Sequence, residues 1–165
     1  MARRVFFSFH YDDIWRVNQI RHSSLITRDA NAAGFIDKAE FESVERQGRK
    51  AIEAWIDRQL NGTSTTIVLI GAETASRHYV QYEILKSYDR GNGLLGIQMH
   101  NMKDVNGRTQ WFPGPNPFSK VEIKGGIFGT TSLANKLTIP IYDWVRDEGR
   151  SNIAKWIENA PKKLP

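Results

Sequence analysis

Glu83 is the carboxylate whose neighbours could give it chemistry. It lies in the stretch Ser76 to Tyr88, SRHYVQYEILKSY, where Val80, Ile84 and Tyr88 recur every four residues, as on one buried helical stripe. Ser76 is the predicted N-cap of that helix. Tyr79 precedes Glu83 by one turn, so the two side chains project together from a strip beside the stripe. A carboxylate there is partly desolvated, which raises its pKa and strengthens its field on a nearby cation. The bland reading is that a lone Glu on a helix is a solvated surface group, so the surrounding elements must supply the case for function.

The other candidate groups sit near the end of a first apolar run and in the loop of a second. Ser8, Phe9, His10 and Tyr11 close the first run, and Phe9, His10 and Tyr11 are candidates to stack on a planar ligand. Asp37 lies in the adjoining loop. Each has a plain alternative: Phe9 as core, His10 and Tyr11 as exposed loop, Asp37 as the cap of the helix that follows. Arg77 and Lys86 are candidates for phosphate contacts, or are simply solvated. The chain has no cysteine, which removes thiol nucleophiles, thiolate metal sites and disulfides. The four histidines, His10, His22, His78 and His100, show no metal-ligand spacing among themselves, so no metal site is predicted.

The elements that must position these groups alternate. Arg3 to Phe9 reads as a buried central strand, and residues 13–26 as an amphipathic helix. A small-residue loop from Asp29 leads to a short edge strand at Gly34 to Asp37. Glu40 to Leu60 reads as one long helix closed by Asn61-Gly62, and Thr65 to Ile70 as a second buried strand. After the Glu83 helix comes a third strand, Leu94 to Met99. Residues 100–129 are rich in Gly, Pro, Asn and aromatic side chains, a long loop of the kind that carries function. Leu137 to Tyr142 is the last strand, with Pro140 restricting it to an edge, and Ser151 is the predicted cap of a final helix carrying Ile153, Trp156 and Ile157.

This order predicts one domain over residues 1–165, an α/β doubly wound, flavodoxin-like fold with a mostly parallel five-stranded sheet. In such sheets ligands bind at the carboxyl edge, where His10 to Asp13 and Glu83 fall. No apolar run approaches the roughly 20 residues of a membrane span, and the N-terminus lacks a signal peptide's apolar region, so a cytoplasmic protein is expected. The net charge of +5 suits a phosphate-bearing partner, but the basic residues are scattered and no nucleic-acid motif accompanies them. Asp12-Asp13 imitates the acidic pair of a response-regulator receiver. The later Asp and Lys of that family are missing, as are a flavodoxin phosphate loop, the dinucleotide-binding glycine motif and the P-loop.

Three segments together resemble the TIR domain. RRVFFSF at 3–9 is similar to its first strand, Gly34 to Asp37 to the loop after its second strand, and SRHYVQYEI at 76–84 to its Trp-Cys-x-x-Glu region. In that match Glu83 takes the place of the catalytic glutamate, while Tyr79 stands for Trp, Val80 for Cys, and Val5 for the usual acidic residue of the first strand. GNGLLGI then follows the helix as in TIR domains. The C-terminal third, with GPNPF, resembles the ThsB-type TIR-like proteins of bacterial Thoeris antiphage defence.

The resemblance implies an enzyme that cleaves NAD at the nicotinamide–ribose bond, a glycohydrolase or cyclase using NAD as substrate and needing no cofactor. Nicotinamide is cationic when bound and leaves neutral, so no general acid is required, and one carboxylate suffices to hold the ribose hydroxyls and stabilise the oxocarbenium-like charge. The implied product is a cyclic ADP-ribose-type signal or ADP-ribose conjugate that activates a separate effector protein. Cyclisation demands a folded substrate in a dry pocket, for which the 100–129 segment is a candidate lid. A homo-oligomer fits the family, and neither a membrane nor a nucleic acid is an expected partner. The alternative from another class is a catalytically silent TIR module that acts by assembly.

Overall fold

The computed structural model describes residues 3–23, 30–33 and 38–165. Its main sheet contains β1 (Arg3–Ser8), β2 (Ala30–Ala33), β3 (Thr65–Ile70), β4 (Gly93–Gln98) and β7 (Ile141–Asp143). The strand order is β2-β1-β3-β4-β7 and every pairing is parallel. That is the flavodoxin-like doubly wound order, with five strands as predicted. A second, two-stranded antiparallel sheet joins β5 (Glu122–Lys124) to β6 (Thr130–Ser132).

The central strands are apolar because both of their faces are covered. All six residues of β3 are buried, and Val5, Phe6 and Phe7 of β1 join Leu94, Leu95 and Ile97 of β4 in the same core. Each such side chain contributes roughly 1.5–3 kcal/mol through removal from water. Helices α1 (Ile14–Arg21), α2 (Lys38–Arg46), α3 (Arg49–Leu60), α4 (His78–Asp89), α5 (Leu133–Lys136) and α6 (Gly149–Glu158) complete the described elements. Ile153, Trp156 and Ile157 of α6 are buried, as their spacing requires. Pro140 does precede an edge strand, β7.

Several boundaries differ from expectation. The edge strand forms at Ala30–Ala33, inside the stretch read as a loop, whereas residues 34–37 lie outside the described residues. Alanines have little strand propensity, but pairing with the buried β1 overrides it. Helix α1 ends at Arg21 rather than 26, and residues 24–26 are also outside the described set. The long helix predicted over 40–60 is two helices, because Gly48 adopts φ +99°, a left-handed value that glycine tolerates and an α-helix does not. Ser76 is not a cap: it belongs to a 3-10 turn, Thr74–Ser76, and its hydroxyl donates to the Glu73 carbonyl. Ser151 likewise lies inside α6, whose N-cap is Glu148.

The 100–129 segment is more structured than a bare loop. Arg16 Nε donates to the Met102 carbonyl at 3.0 Å and Arg16 Nη2 to the Arg108 carbonyl at 3.1 Å. Gln19 Nε2 donates to the Lys103 carbonyl at 2.9 Å, and further on a 3-10 turn spans Pro117–Lys120 before the β5–β6 hairpin begins. Helix α1 therefore holds the first part of this segment down by its backbone.

Candidate functional site

The site is built where α4 crosses the carboxyl end of β1. Tyr79, Val80, Glu83, Ile84, Ser87 and Tyr88 of α4 are all buried. Val80, Ile84 and Tyr88 form the apolar stripe, while Tyr79, Glu83 and Ser87 form a second row four residues apart on the same inner side. Glu83 is only 1% exposed, so it is inside the core rather than at its border as its sequence position suggested. Ser8, the last residue of β1 and wholly buried, donates its hydroxyl to Glu83 Oε2.

Burial dominates the electrostatics of this carboxyl. Removal from water pushes the Glu83 pKa up from its ordinary value to about 8, and the Ser8 hydrogen bond pulls it partly back. The group is therefore poised to change charge near neutrality. A cation brought beside it would favour the ionised form, and the ionised form would in turn hold that cation strongly in so dry a place.

An aromatic wall adjoins the pair. Tyr79 is buried and its ring lies 5.3 Å from that of Phe41, at 56°. Phe41 in turn stacks on Tyr11, with centroids 6.5 Å apart. Burial and the Glu83 charge both raise the Tyr79 pKa, which keeps the phenol neutral, although a hydrogen bond to the Tyr11 backbone acts the other way. Tyr11 and Tyr79 are thus brought together as the sequence suggested. Phe41 joins them from α2; nothing in the sequence brings residue 41 next to residue 11.

The remaining candidates separate. Phe9 is 4% exposed and belongs to the core cluster, the plainer of its two readings. His10 is buried to 9% exposure and stands by Asp12 and Glu73, at the same edge. Asp37 lies outside the described residues. Arg77 pairs with Glu73 at 2.7 Å, and Lys86 lies over the Tyr82 ring at 5.5 Å, on the side of α4 where Tyr82 reaches Asp57 of α3.

A second tier holds the edge rigid. Asp13 is buried, and desolvation raises its pKa against the opposing charge of Arg16, whose Nη1 is 3.8 Å from Asp13 Oδ1. Gly71, the residue after β3, packs so closely on the Asp13 carboxyl that any side chain there would overlap it. The turns that follow β1 and β3 are thereby locked to one another. Sequence reading took Asp12-Asp13 as a pair and missed that one is buried structure and the other, on His10's side, is exposed.

Comparison with known proteins places these features in a family. The family model described as "Thoeris protein ThsB, TIR-like domain" matches residues 6–104, which includes the end of β1, the Glu83 helix and β4. A protein of Bacillus cereus (strain MSX-D12) carrying the name "Putative cyclic ADP-D-ribose synthase ThsB1" is 33% identical, in an alignment that covers 95% of this chain and 100% of that protein.

Proposed function

The chain belongs to the ThsB TIR-like family of Thoeris proteins, and from that premise we propose that it cleaves NAD at the nicotinamide–ribose bond and closes the ADP-ribose product into a cyclic signal for a partner effector. The observation that carries this reading is Glu83: a single carboxyl, buried at the carboxyl edge of β1, with its pKa raised to about 8 and a hydrogen bond accepted from the Ser8 hydroxyl.

The chemistry follows from that environment. Cationic nicotinamide-ribose entering beside Glu83 lowers the carboxyl pKa again, so substrate binding itself generates the carboxylate. As the glycosidic bond breaks, its electron pair goes to the nicotinamide nitrogen, which becomes neutral, and positive charge moves onto the ribose. A desolvated carboxylate stabilises that developing charge more than the ground state, which is what accelerates the step. Ser8 donates to Glu83 as a ribose hydroxyl would, so a sugar can replace one O–H donor with another without leaving the carboxylate unsatisfied. The aromatic row of Tyr11, Phe41 and Tyr79 supplies flat apolar surface beside it and helps exclude water, which favours attack by an atom of the same nucleotide.

The name of the Bacillus cereus relative supports a cyclic product over simple hydrolysis. Among the described residues no helix is long and apolar enough to cross a membrane, in keeping with a diffusible substrate and signal. The test is mass spectrometry of small molecules from phage-challenged cells expressing the wild-type chain or Glu83→Gln. A new ADP-ribose-derived mass that requires Glu83 is expected. Equal metabolite profiles, with both chains folded and the cells protected alike, would overturn the enzyme reading. The second reading, assembly without catalysis, has one feature in its favour: Ile127 and Phe128 at the tip of the β5–β6 hairpin are each 92% exposed.

A further inference from the structure

We propose that His10, Asp12 and Glu73 form a divalent-metal site of the Mn2+ or Zn2+ kind on the carboxyl edge of the sheet. One ligand atom from each, an imidazole nitrogen and two carboxylate oxygens, lies within 4.8 Å of the others. Ligands held about 2.1 Å from one ion in tetrahedral geometry are about 3.4 Å apart, so closure by up to roughly 1.4 Å, within reach of the two exposed acid side chains, completes the geometry. The expectation of no metal came from histidine spacing alone, whereas here a single histidine is joined by acids from two separate turns.

His10 is the anchor. It is nine-tenths buried, and among the described residues its ring makes no hydrogen bond; its charged neighbour, Asp12 Oδ2, is 3.8 Å from Nδ1, too far for one. An imidazole that faces two carboxylates and makes no hydrogen bond among the described residues is available as a ligand. The acids are the adjustable part: the side chains of Asp12 and Glu73 are 82% and 62% exposed. The turns that carry them follow the adjacent strands β1 and β3, and the Gly71–Asp13 contact fixes those turns against each other. An imidazole nitrogen beside carboxylate oxygens suits a borderline metal better than Mg2+ or Ca2+, which prefer oxygen alone.

Arg77 now occupies one Glu73 oxygen, at 2.7 Å. That ion pair is exposed enough to be weak, and the carboxylate has a second oxygen to offer a metal. Three protein ligands leave open positions, which phosphate oxygens fill well. His10 is two residues from Ser8, so on the reading that this edge binds NAD, the ligand for those positions is the dinucleotide's diphosphate. That last clause rests on the proposed function; the metal site itself does not.

Mn2+ titration of the full chain, stripped of metal and followed by the electron paramagnetic resonance signal of the free ion, tests the site. We expect saturable binding to the wild type, weakened at least tenfold by His10→Ala and by Glu73→Gln, tightened by Arg77→Gln, and unchanged by Glu83→Gln. Asp12→Asn, at an exposed position that cannot unfold the chain, should weaken binding as well. Absence of saturable binding to the folded wild type, or binding that these substitutions leave untouched, overturns the site. Adding NAD to the Glu83→Gln chain should tighten Mn2+ binding; no change removes the diphosphate role and leaves the metal site standing. Loss of the Glu83-dependent product with Mn2+ binding intact counts against the proposed function alone, so the two readings fail separately.

Discussion

Helix α4 is joined to the sheet by buried polar groups at two successive turns of one face, and the two differ in kind. At the middle of the helix Glu83 meets Ser8. Toward the carboxyl-terminal end Ser87 Oγ lies 2.7 Å from Thr66 Oγ1, which also accepts from Asn92 Nδ2 at 3.2 Å, and Asn92 Nδ2 donates to Thr63 Oγ1 at 2.9 Å. The second network holds only neutral groups. It fixes the register of α4 on β3 and has nothing to titrate. The first places an ionisable group in an equally dry position, where the folded protein favours its neutral form. One helix therefore carries a neutral fastener and a titratable carboxyl a single turn apart; what separates them is charge, not burial.

The sharpest way to separate the two turns is by substitution with near-isosteres. Glu83→Gln should lower NAD turnover by about two to three orders of magnitude, the usual loss when a group stabilising transition-state charge is removed. The same variant should remain folded, because the amide is neutral in a place that already favours neutrality. NAD consumption and thermal unfolding, measured side by side, check both halves; an active Glu83→Gln chain would break the comparison.

Stability against pH comes next. The folded Glu83 pKa of about 8 stands above its ordinary value of 4.5, so between those values the folded chain holds a proton that the unfolded chain has lost. This group's contribution is present in full below about 4.5, declines as pH rises to about 8 and is level above it. The steepest loss is about 1.4 kcal/mol per pH unit. Denaturant titrations at intervals across that window should show the decline in the wild type and its disappearance in Glu83→Gln.

Ser87→Ala should act on stability alone. Deleting that hydroxyl leaves Thr66 short of a buried partner, at a cost of about 1–3 kcal/mol. The loss should be the same at acidic and alkaline pH, in contrast to Glu83, with NAD chemistry retained in the folded fraction.

The smallest effect expected is a shift in a profile. Ser8→Ala removes the hydrogen bond that lowers the Glu83 pKa, so the alkaline rise of kcat/KM, set by Glu83 ionisation in the free chain, should move up by roughly one pH unit. A shift to lower pH would mean that Ser8 stabilises the protonated form.

Much of this molecule was legible because period and composition act locally. The apolar runs at 65–70 and 94–99 had to be buried strands, and the four-residue recurrence of Val80, Ile84 and Tyr88 had to be a helix against them. Alternation of such elements imposes a parallel sheet with helices on both faces, so the fold class, the carboxyl-edge location and the choice of Glu83 all follow from the chain itself. The errors fell where local preference was weak or outvoted. Four small residues became a strand because β1 offered them partners, and one positive φ at Gly48 divided a helix whose apolar spacing ran straight through it.

The sequence by itself determined which residues are apolar, which are acidic and with what period they recur, and that suffices for an α/β domain with one carboxylate on a helix's inner side. Only the tertiary structure decided how dry that carboxylate is. Its proton affinity depends on the strand end from which Ser8 reaches it, 75 residues away in the chain, and on the exclusion of water by everything packed around them. The same holds for the gathering of Phe41 with Tyr11 and Tyr79, and of Glu73 with His10 and Asp12. Desolvation and ligand geometry are properties of what surrounds a group in space, and no spacing along the chain encodes them.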